Sequence, residues 1–485
     1  SGLSDAAAPL IMMRTPYSIG PYGQFGFSSN LRKKFRPYLE NGYVVVLQNV
    51  RGRFLSEGLY ENIRPFIADK RPGQTDEASD TYDTVEWLVH NVYFNGAVGV
   101  TGVSYPGFYA TLAALSGHPA IKAVSPQAPV LDWYMGDDAH HNGVLMLADT
   151  YSFGGGFYRY QKNPATQAPP TAAQPIGDLY SFFMRNRTFQ DVTETLADTL
   201  SFWNEIRRHP DYDDFWKART PAPHLKDIKP AVLVVGGSFD TDDCYGAVNT
   251  FKLIKKQSPE TDLHFIYGPW YHGGWHNSKY ENLGQVWFGE GFSDYYMYNL
   301  EYPFFRYYLE GKGERPESVY VMPSGVQNAG WETYDTWPPK TSNTLSFYFS
   351  DNGTLSYSLP DKKKSFSEYI SDPSTPVPYY WKPQKSRNKD YMCADQRFAS
   401  CRSDVLTFTT DILADMDIVV KLIDVYPDDF AYPSEIAEKL PDPDYMMGGY
   451  QMLVRGDIFR ARYRKGFEEP VPMVPGKPDK VDFTM

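Results

Sequence analysis

The run Val98-Gly99-Val100-Thr101-Gly102-Val103-Ser104-Tyr105-Pro106-Gly107-Phe108-Tyr109-Ala110 sets the narrowest limits on this chain. Its first half is apolar and β-branched, as a buried strand requires. Its second half reads as a helix, with Pro106 in the first turn where a missing N–H is harmless. Gly102 and Gly107 flank the junction, so the chain can turn there more tightly than a Cβ permits. Ser104 stands at the turn, and the N–H groups of the first helical turn have no intrahelical acceptor to compete with a developing anion. This is a way to present a nucleophilic hydroxyl at the edge of a sheet. The spacing is Gly-x-Ser-x-x-Gly, one residue longer than the commoner Gly-x-Ser-x-Gly, and short patterns of this kind also arise by chance.

At 485 residues the chain is long for one domain, so two or three are expected. Acids outnumber Lys plus Arg by 59 to 47, a net charge of −12 that argues against nucleic acid as a partner. No apolar run is long enough to cross a bilayer, so a soluble protein without membrane association is expected. Ser1-Gly2 reads as a processed or engineered start. Three cysteines exclude a disulfide framework and show no zinc-ligand spacing. Cys393 and Cys401 are near enough in sequence to pair across a loop or hairpin in an oxidising compartment, or to be two buried thiols.

Short apolar runs at 8–13, 43–49, 98–103, 231–237 and 263–267 suit buried parallel strands, and 80–90 and 245–256 have helical patterns. That alternation predicts an α/β fold. Between 132 and 223 the character changes, with Gly154-Gly155-Gly156, a Pro/Ala/Gln-rich loop at 167–175 and an amphipathic run at 192–208; a helical cap inserted into the core is expected. Beyond 313, runs at 345–349, 405–409 and 418–424, separated by turns such as Asp351-Asn352-Gly353, predict a β-sandwich of jelly-roll type. Lys362-Lys363-Lys364 reads as a solvated loop. The expected division is therefore a core at 1–131 and 224–312, a cap at 132–223 and a sandwich at 313–485.

A serine hydroxyl needs a histidine base, and the base needs a carboxylate to hold its tautomer. Downstream, residues 232–235 lead into Gly236-Gly237-Ser238-Phe239-Asp240, and 265–267 lead into Gly268-Pro269-Trp270-Tyr271-His272. Both place a suitable side chain just past a strand, at the carboxyl edge where sites of parallel sheets gather. Ser104, Asp240 and His272 also follow the chain order of α/β-hydrolases. Separately, Asp240 fits a helix cap, His272 fits a structural loop, and His276 competes as base.

Four motifs, Arg14-Thr15-Pro16-Tyr17, Arg51-Gly52 with Ser56-Glu57-Gly58, Gly102-x-Ser104-Tyr105-x-Gly107 and Gly268-Pro269-Trp270-x-His272, resemble the successive signatures of the cocaine esterase and X-Pro dipeptidyl-peptidase hydrolases. Within that family Met135-Gly136-Asp137-Asp138, Asp240-x-Asp242-Asp243 before Gly246, Asp395-Gln396-Arg397-Phe398 and Arg455-Gly456-Asp457 look most like the α-amino acid ester hydrolases. The resemblance implies an α/β-hydrolase core with a cap and a jelly roll, and a Ser104/Asp240/His272 triad. It further implies an oxyanion hole from the Tyr17 phenol and the Tyr105 N–H, and an α-ammonium site of Asp138, Asp242 and Asp243. A solvated acidic loop at a helix N-terminus is the plainer account of those aspartates, and a turn tyrosine that of Tyr17. His140 and His141 beside Asp138 read as loop or core histidines in preference to metal ligands.

The implied substrate is a small α-amino ester or amide, β-lactam amides included, cleaved or transferred through an acyl-enzyme without a metal or organic cofactor. X-Pro dipeptidyl-peptidase, cocaine-type esterase and glutaryl-amide acylase activities share the triad, and an inactive glycan- or protein-binding module is the reading from another class. The resemblance, with the Cys393/Cys401 pair, points to a periplasmic or secreted protein, a cytoplasmic one being the alternative, and the resemblance also implies a homo-oligomer. Two departures stand out: Asn49 replaces the aspartate usual before the Arg-Gly pair, leaving the role of Arg51 open, and both chain ends, 481–485 included, look shortened.

Overall fold

The computed structural model describes residues 7–26, 28–157, 161, 163–168, 177–196, 201–323, 330–342, 346–351, 353–361, 365–370, 372–386, 388–410, 421–456 and 461–472. Its centre is an eight-stranded sheet. In chain order the strands are β1 (Leu10–Thr15), β2 (Val44–Asn49), β3 (Val98–Ser104), β4 (Ile121–Pro129), β5 (Ala231–Gly237), β6 (Leu263–Gly268), β7 (Val319–Val321) and β8 (Glu332–Tyr334). They lie side by side as β8-β7-β6-β5-β4-β3-β1-β2, and every pair except β7/β8 is parallel.

Helices cover both faces, and this explains the unbroken apolar runs. Along β1, Ile11 and Met13 enter one cluster with Leu233, Val235, Ile266 and Phe305. Leu10 and Met12 point the other way, toward Val98, Val100, Val232 and Val234. Each such side chain contributes about 1.5–3 kcal/mol on burial. Helix α1 (Glu77–Asn91) begins in a reciprocal cap in which Asp76 accepts from the Ser79 N–H and Ser79 from the Asp76 N–H. Helix α2 (Tyr105–Ala114) is buried along its whole length, and α3 (Cys244–Gln257) follows β5.

Strand β4 carries no clear sequence signal, because Ser125, Pro126, Gln127 and Pro129 interrupt its apolar run. It is nonetheless central. Its register with β5 pairs residues 123, 124 and 127 and skips Pro126, which has no N–H to offer the ladder.

Between β4 and β5 the described residues form a helical layer that includes Leu147–Phe157, Leu179–Arg185, Phe189–Thr195 and Ser201–Arg208. The amphipathic run at 192–208 is thus two helices, with 197–200 outside the described residues, as are 169–176 of the expected loop. Trp133, Tyr151, Phe182, Trp203 and Trp216 of this layer share one cluster with Tyr105 and Phe108 of α2.

Past the expected boundary at 313, β7 and β8 extend the central sheet to Tyr334. Three-residue strands are too short for periodicity to reveal. Beyond them, the described residues hold two small antiparallel sheets, β9 (Tyr348–Phe349) with β10 (Leu355–Ser356) and β11 (Lys421–Val425) with β12 (Gln451–Gly456). The run at 405–409 makes only an isolated bridge from Thr409 to Thr354. Leu345, Asn352, Lys362-Lys363-Lys364, residues 418–420, Asp457, Ser1-Gly2 and 481–485 lie outside the described residues.

The possible Cys393–Cys401 bridge is corrected, since both thiols are free. Cys393 is buried and donates to the Leu283 carbonyl at 3.0 Å, whereas Cys401 is exposed beyond the helical turn Arg397–Ser400. No helix among the described residues is long and apolar enough to cross a membrane.

Candidate active site

Strand β3 ends at Ser104, whose φ of 70° and ψ of −129° are unfavourable for a residue with a Cβ. Such a conformation costs about 1–3 kcal/mol and persists where surrounding packing enforces it. A Cβ on Gly102 would lie 2.2 Å from the Pro106 carbonyl oxygen, and one on Gly107 would lie 2.6 Å from that of Gln127. The two glycines are therefore required by close approach of the backbone on either side of the serine. Tyr105 opens α2. Its buried phenol accepts from the Ile63 N–H and from the Tyr60 hydroxyl, so its main chain is the part at hand for a group beside Ser104.

The loops after β5 and β6 are zipped together by N–H groups of Ser238 and Phe239 donating to the carbonyls of Gly268 and Trp270, at 2.8 and 3.1 Å. This brings Asp240 to His272. Nδ1 of His272 is 3.0 and 2.9 Å from the two Asp240 oxygens. With the proton on Nδ1, Nε2 is left as the basic nitrogen. Asp240 Oδ1 also accepts from the N–H groups of Asp242 and Asp243, at 2.8 and 3.1 Å. Burial pushes the Asp240 carboxyl up, but the adjoining imidazole and these N–H donors outweigh it and hold the group below the usual range. A Cβ on Gly273 would be 3.6 Å from Val103 Cγ1, which places the His272 loop against the residue preceding Ser104.

His276 does not join this site. Its Nε2 is 3.2 Å from Glu301 Oε2 in a buried network, and burial lowers its affinity for a proton.

The aspartates converge here as well. Asp138, at φ 45°, takes the Trp133 indole N–H on Oδ2 at 3.0 Å and donates its own N–H to the Asp242 carbonyl at 3.1 Å. Asp242 accepts the Thr241 hydroxyl at 2.8 Å and comes within 3.7 Å of His272 Nδ1. Asp243 is 0% exposed, neither of its oxygens has a hydrogen-bond donor, and Oδ2 is 3.9 Å from His272 Nε2. Burial, reinforced by Asp138, Asp137, Asp240 and Asp242, pushes its carboxyl well above the usual range.

Asp137, next to Asp138 in the chain, has a different task. Its carboxylate takes the N–H groups of Leu131, Asp132 and Gly246 at 2.8, 2.8 and 2.7 Å, tying the loop after β4 to α3. The sequence motif contained Asp137 but carried no signal separating its role from that of Asp138.

Tyr17 follows β1, half-buried, its ring against the cluster of Tyr105 and Trp133. Arg51, whose role the sequence left open, makes a two-pronged contact with Asp80 of α1 at 2.9 and 2.5 Å. Arg14 pairs with Glu77 of the same helix at 3.1 Å, so both arginines brace the strand ends that carry Tyr17 and Asn49. His140 bonds the Trp133 carbonyl at 3.1 Å and packs on Trp216, as a core histidine does. Asp395, Arg397 and Gln396 brace the C-terminal region: Asp395 pairs with Arg397 at 2.6 Å and the Gln396 N–H reaches the Gln451 carbonyl at 2.8 Å.

Among the described residues, Asp240, Asp242 and His272 also have ligand-type atoms within 4.8 Å of one another. A cation held by all three would displace the proton that joins His272 to Asp240.

Comparison with known proteins bears on this arrangement. A sequence model described as X-Pro dipeptidyl-peptidase (S15 family) matches residues 3–274, and one described as the X-Pro dipeptidyl-peptidase C-terminal non-catalytic domain matches 306–485. The chain belongs to the S15 family. It is a family of hydrolases with an α/β core, and similarity extends along the chain. Cocaine esterase of Rhodococcus sp. (strain MB1 Bresler) is 25% identical over 99% of this chain and 83% of its own length. A selenomethionine-labelled α-amino acid ester hydrolase is similar at 28% identity and a TM-score of 0.86, over 98% of this chain and 80% of the other. An aminopeptidase from a marine sediment archaeon, Thaumarchaeota archaeon, is similar at 29% identity and a TM-score of 0.85, over 97% and 80%.

Proposed function

We propose that this S15-family hydrolase acts on the carbonyl of α-amino acyl esters and amides, β-lactam amides included, through an acyl-enzyme on Ser104. The observation that carries the substrate class is Asp243, a carboxylate 0% exposed and without a donor, beside Asp138 and Asp242. Unpaired buried charge is costly, and like charges at close quarters repel. A protonated α-amine bound among the three aspartates supplies the missing donors and relieves the repulsion.

In this mechanism His272 Nε2 takes the Ser104 proton as the hydroxyl oxygen attacks the carbonyl carbon. The oxyanion is received by the Tyr17 phenol and the Tyr105 N–H, each donor typically contributing on the order of 3 kcal/mol. The same proton passes from His272 to the leaving alcohol or amine. Water then attacks the acyl-enzyme by the reverse sequence, or an amine does so and acyl transfer results.

Similarity to the archaeal aminopeptidase supports a second reading, in which the leaving group is a peptide amine. It needs the same α-ammonium site. An X-Pro dipeptidyl-peptidase, by contrast, needs its ammonium one residue farther from the scissile carbonyl.

The deciding experiment measures kcat/KM for phenylglycine methyl ester and phenylacetic acid methyl ester with wild type and Ser104→Ala. A large preference for the amino ester, lost in the alanine variant, is expected, with rates falling as an α-amine of pKa about 7.7–8 deprotonates. Equal rates on the two esters, or a flat profile from about pH 7 to 9, refute ammonium recognition. Phenylglycyl amides of peptides in the same assay separate ester hydrolysis from aminopeptidase action.

A further inference from the structure

We infer that Asn49, which stands where the family usually has an aspartate, is a positioning residue for the Tyr17 phenol, and that in this chain, with the Tyr17 carbonyl and the Tyr22 hydroxyl as its partners, it works as a neutral donor. The inference rests on the oxyanion role given to Tyr17 above. Asn49 is the last residue of β2, in register with Thr15 of β1, and is 4% exposed. Its carboxamide lies between two tyrosines. Nδ2 donates to the Tyr17 carbonyl at 2.6 Å, and Oδ1 accepts the Tyr22 hydroxyl at 2.7 Å. Its own carbonyl accepts the Ser56 hydroxyl at 2.7 Å, and the Tyr17 N–H is held by Thr15 Oγ1 at 3.1 Å.

The main chain of Tyr17 is thus tethered on both sides of its Cα, by Thr15 and by Asn49. The phenolic oxygen sits at the far end of the side chain, so a small rotation of that main chain is amplified where an oxyanion would be received. A carbonyl oxygen can only accept, so Nδ2 must face Tyr17 and the Tyr22 phenol must be the donor on the other side. An aspartate of the same shape has no donor when ionised. It would set a charged oxygen against the Tyr17 carbonyl and push the loop away, whereas a protonated aspartic acid would restore the bond.

The charged groups on the segments around Asn49 are Arg53, which donates to the Pro16 carbonyl at 2.9 Å, and the Arg51–Asp80 pair. Tyr17 and Tyr22 are the neighbouring phenols. Wild type contains all of these, so a titration present only in a variant belongs to the new carboxyl.

The test compares Asn49→Asp with wild type on an α-amino ester between pH 5.5 and 9, as the ratio of their kcat/KM values. Dividing by wild type removes the His272 limb and the substrate amine. At pH 8 a loss of about a hundredfold is expected, in kcat, as a misplacement near 1 Å produces. The ratio should recover at least tenfold toward pH 5.5. Tyr22→Phe, which removes the orienting hydroxyl, should cost only a few-fold with a pH-independent ratio. A flat ratio for Asn49→Asp, or a loss confined to KM, overturns the inference.

Tyr17→Phe separates the two claims. If it is costly while the Asn49→Asp ratio is flat, only the positioning role falls; if it costs nothing, the oxyanion reading falls and the positioning role with it. Should Asn49→Asp not fold, Asn49→Ala must show a pH-independent loss in kcat at unchanged KM, and unaltered kcat refutes the role.

Discussion

Asp243 and Glu301 are both buried carboxylates, and their surroundings are opposite in kind. Glu301 closes a π-helical turn, Tyr296–Glu301, and its Oε1 accepts from Gln127 Nε2 at 2.8 Å while Oε2 meets His276 at 3.2 Å. Burial pushes this carboxyl up, but His276, Gln127 and Lys34 together bring it below the usual range. Lys34 in turn is lowered to about 8 by burial, with Glu301 opposing. Asp243 has four aspartates around it, the His272 ring no nearer than 3.9 Å and no hydrogen-bond donor, and is raised. The Glu301 carboxylate is completed by the chain itself; the Asp243 carboxylate is not, and under the proposed function a substrate ammonium completes it. That contrast, more than the number of acids, is what supports the proposed reading of the Asp243 region as a binding site and of the Glu301 region as scaffold. The scaffold has reach, because the Trp275 indole also donates to Gln127 at 2.8 Å and so ties the His272 loop to β4 beneath Ser104.

The sharpest way to break the comparison is Glu301→Gln. Removing one member of a buried charged network typically costs about 3–5 kcal/mol. Chemical denaturation should register a loss of that order, with discrimination between amino and des-amino esters retained. Lost discrimination at unchanged stability would place Glu301 with the site.

Asp243→Asn should do the reverse. We expect kcat/KM for the amino ester to fall about a hundredfold, the des-amino ester to be little affected, and stability to rise at neutral pH. The pH dependence separates the two residues further. Glu301 is lowered relative to an unfolded value of about 4.3, so its contribution is complete above that pH and disappears as pH falls through the folded value. Asp243 is raised above an unfolded value of about 3.9, so it weakens the fold progressively as pH climbs from there toward its folded value. The stability gain of Asp243→Asn should therefore vanish near pH 3.5 and grow upward, whereas the deficit of Glu301→Gln should shrink in acid. Melting curves of both variants across pH 3.5–8 decide the matter.

The smallest effect should come from Asp137→Asn. Its carboxylate accepts three backbone N–H groups, and the amide that replaces one oxygen leaves a donor facing a donor. A loss of about 1–3 kcal/mol is expected from one buried group left unsatisfied. Selectivity for the amino ester should persist, because Asp138 and Asp243 remain. A selectivity collapse as large as that of Asp243→Asn would erase the distinction between scaffold and site.

Much of the core was legible in the chain. Strand β5 matches its apolar run at both ends, and β1, β2, β3 and β6 match theirs within two residues, because a strand covered on both faces must be apolar along its length. Strand β4 escaped notice: a central position supplied by its neighbours overrode the two prolines that argue against a strand. Strands β7 and β8 escaped because three residues hold no period. In the site, Ser104, Asp240 and His272 could be named from turn residues at strand ends, and the structure places Asp240 against His272. Asn49 stood out only as a missing charge, and its two tyrosine contacts became visible once β1 and β2 were side by side.

The sequence by itself determined the five apolar strands β1, β2, β3, β5 and β6, the turn that exposes Ser104 and the set of acids available to a site, since periodicity and turn chemistry are local. Only the tertiary structure decided which acids are satisfied. Gly246 reaches Asp137 across 109 residues, and Gln127 reaches Glu301 across 174. A carboxylate's role depends on the donors around it, and here those donors come from distant parts of the chain, or, at Asp243, from none.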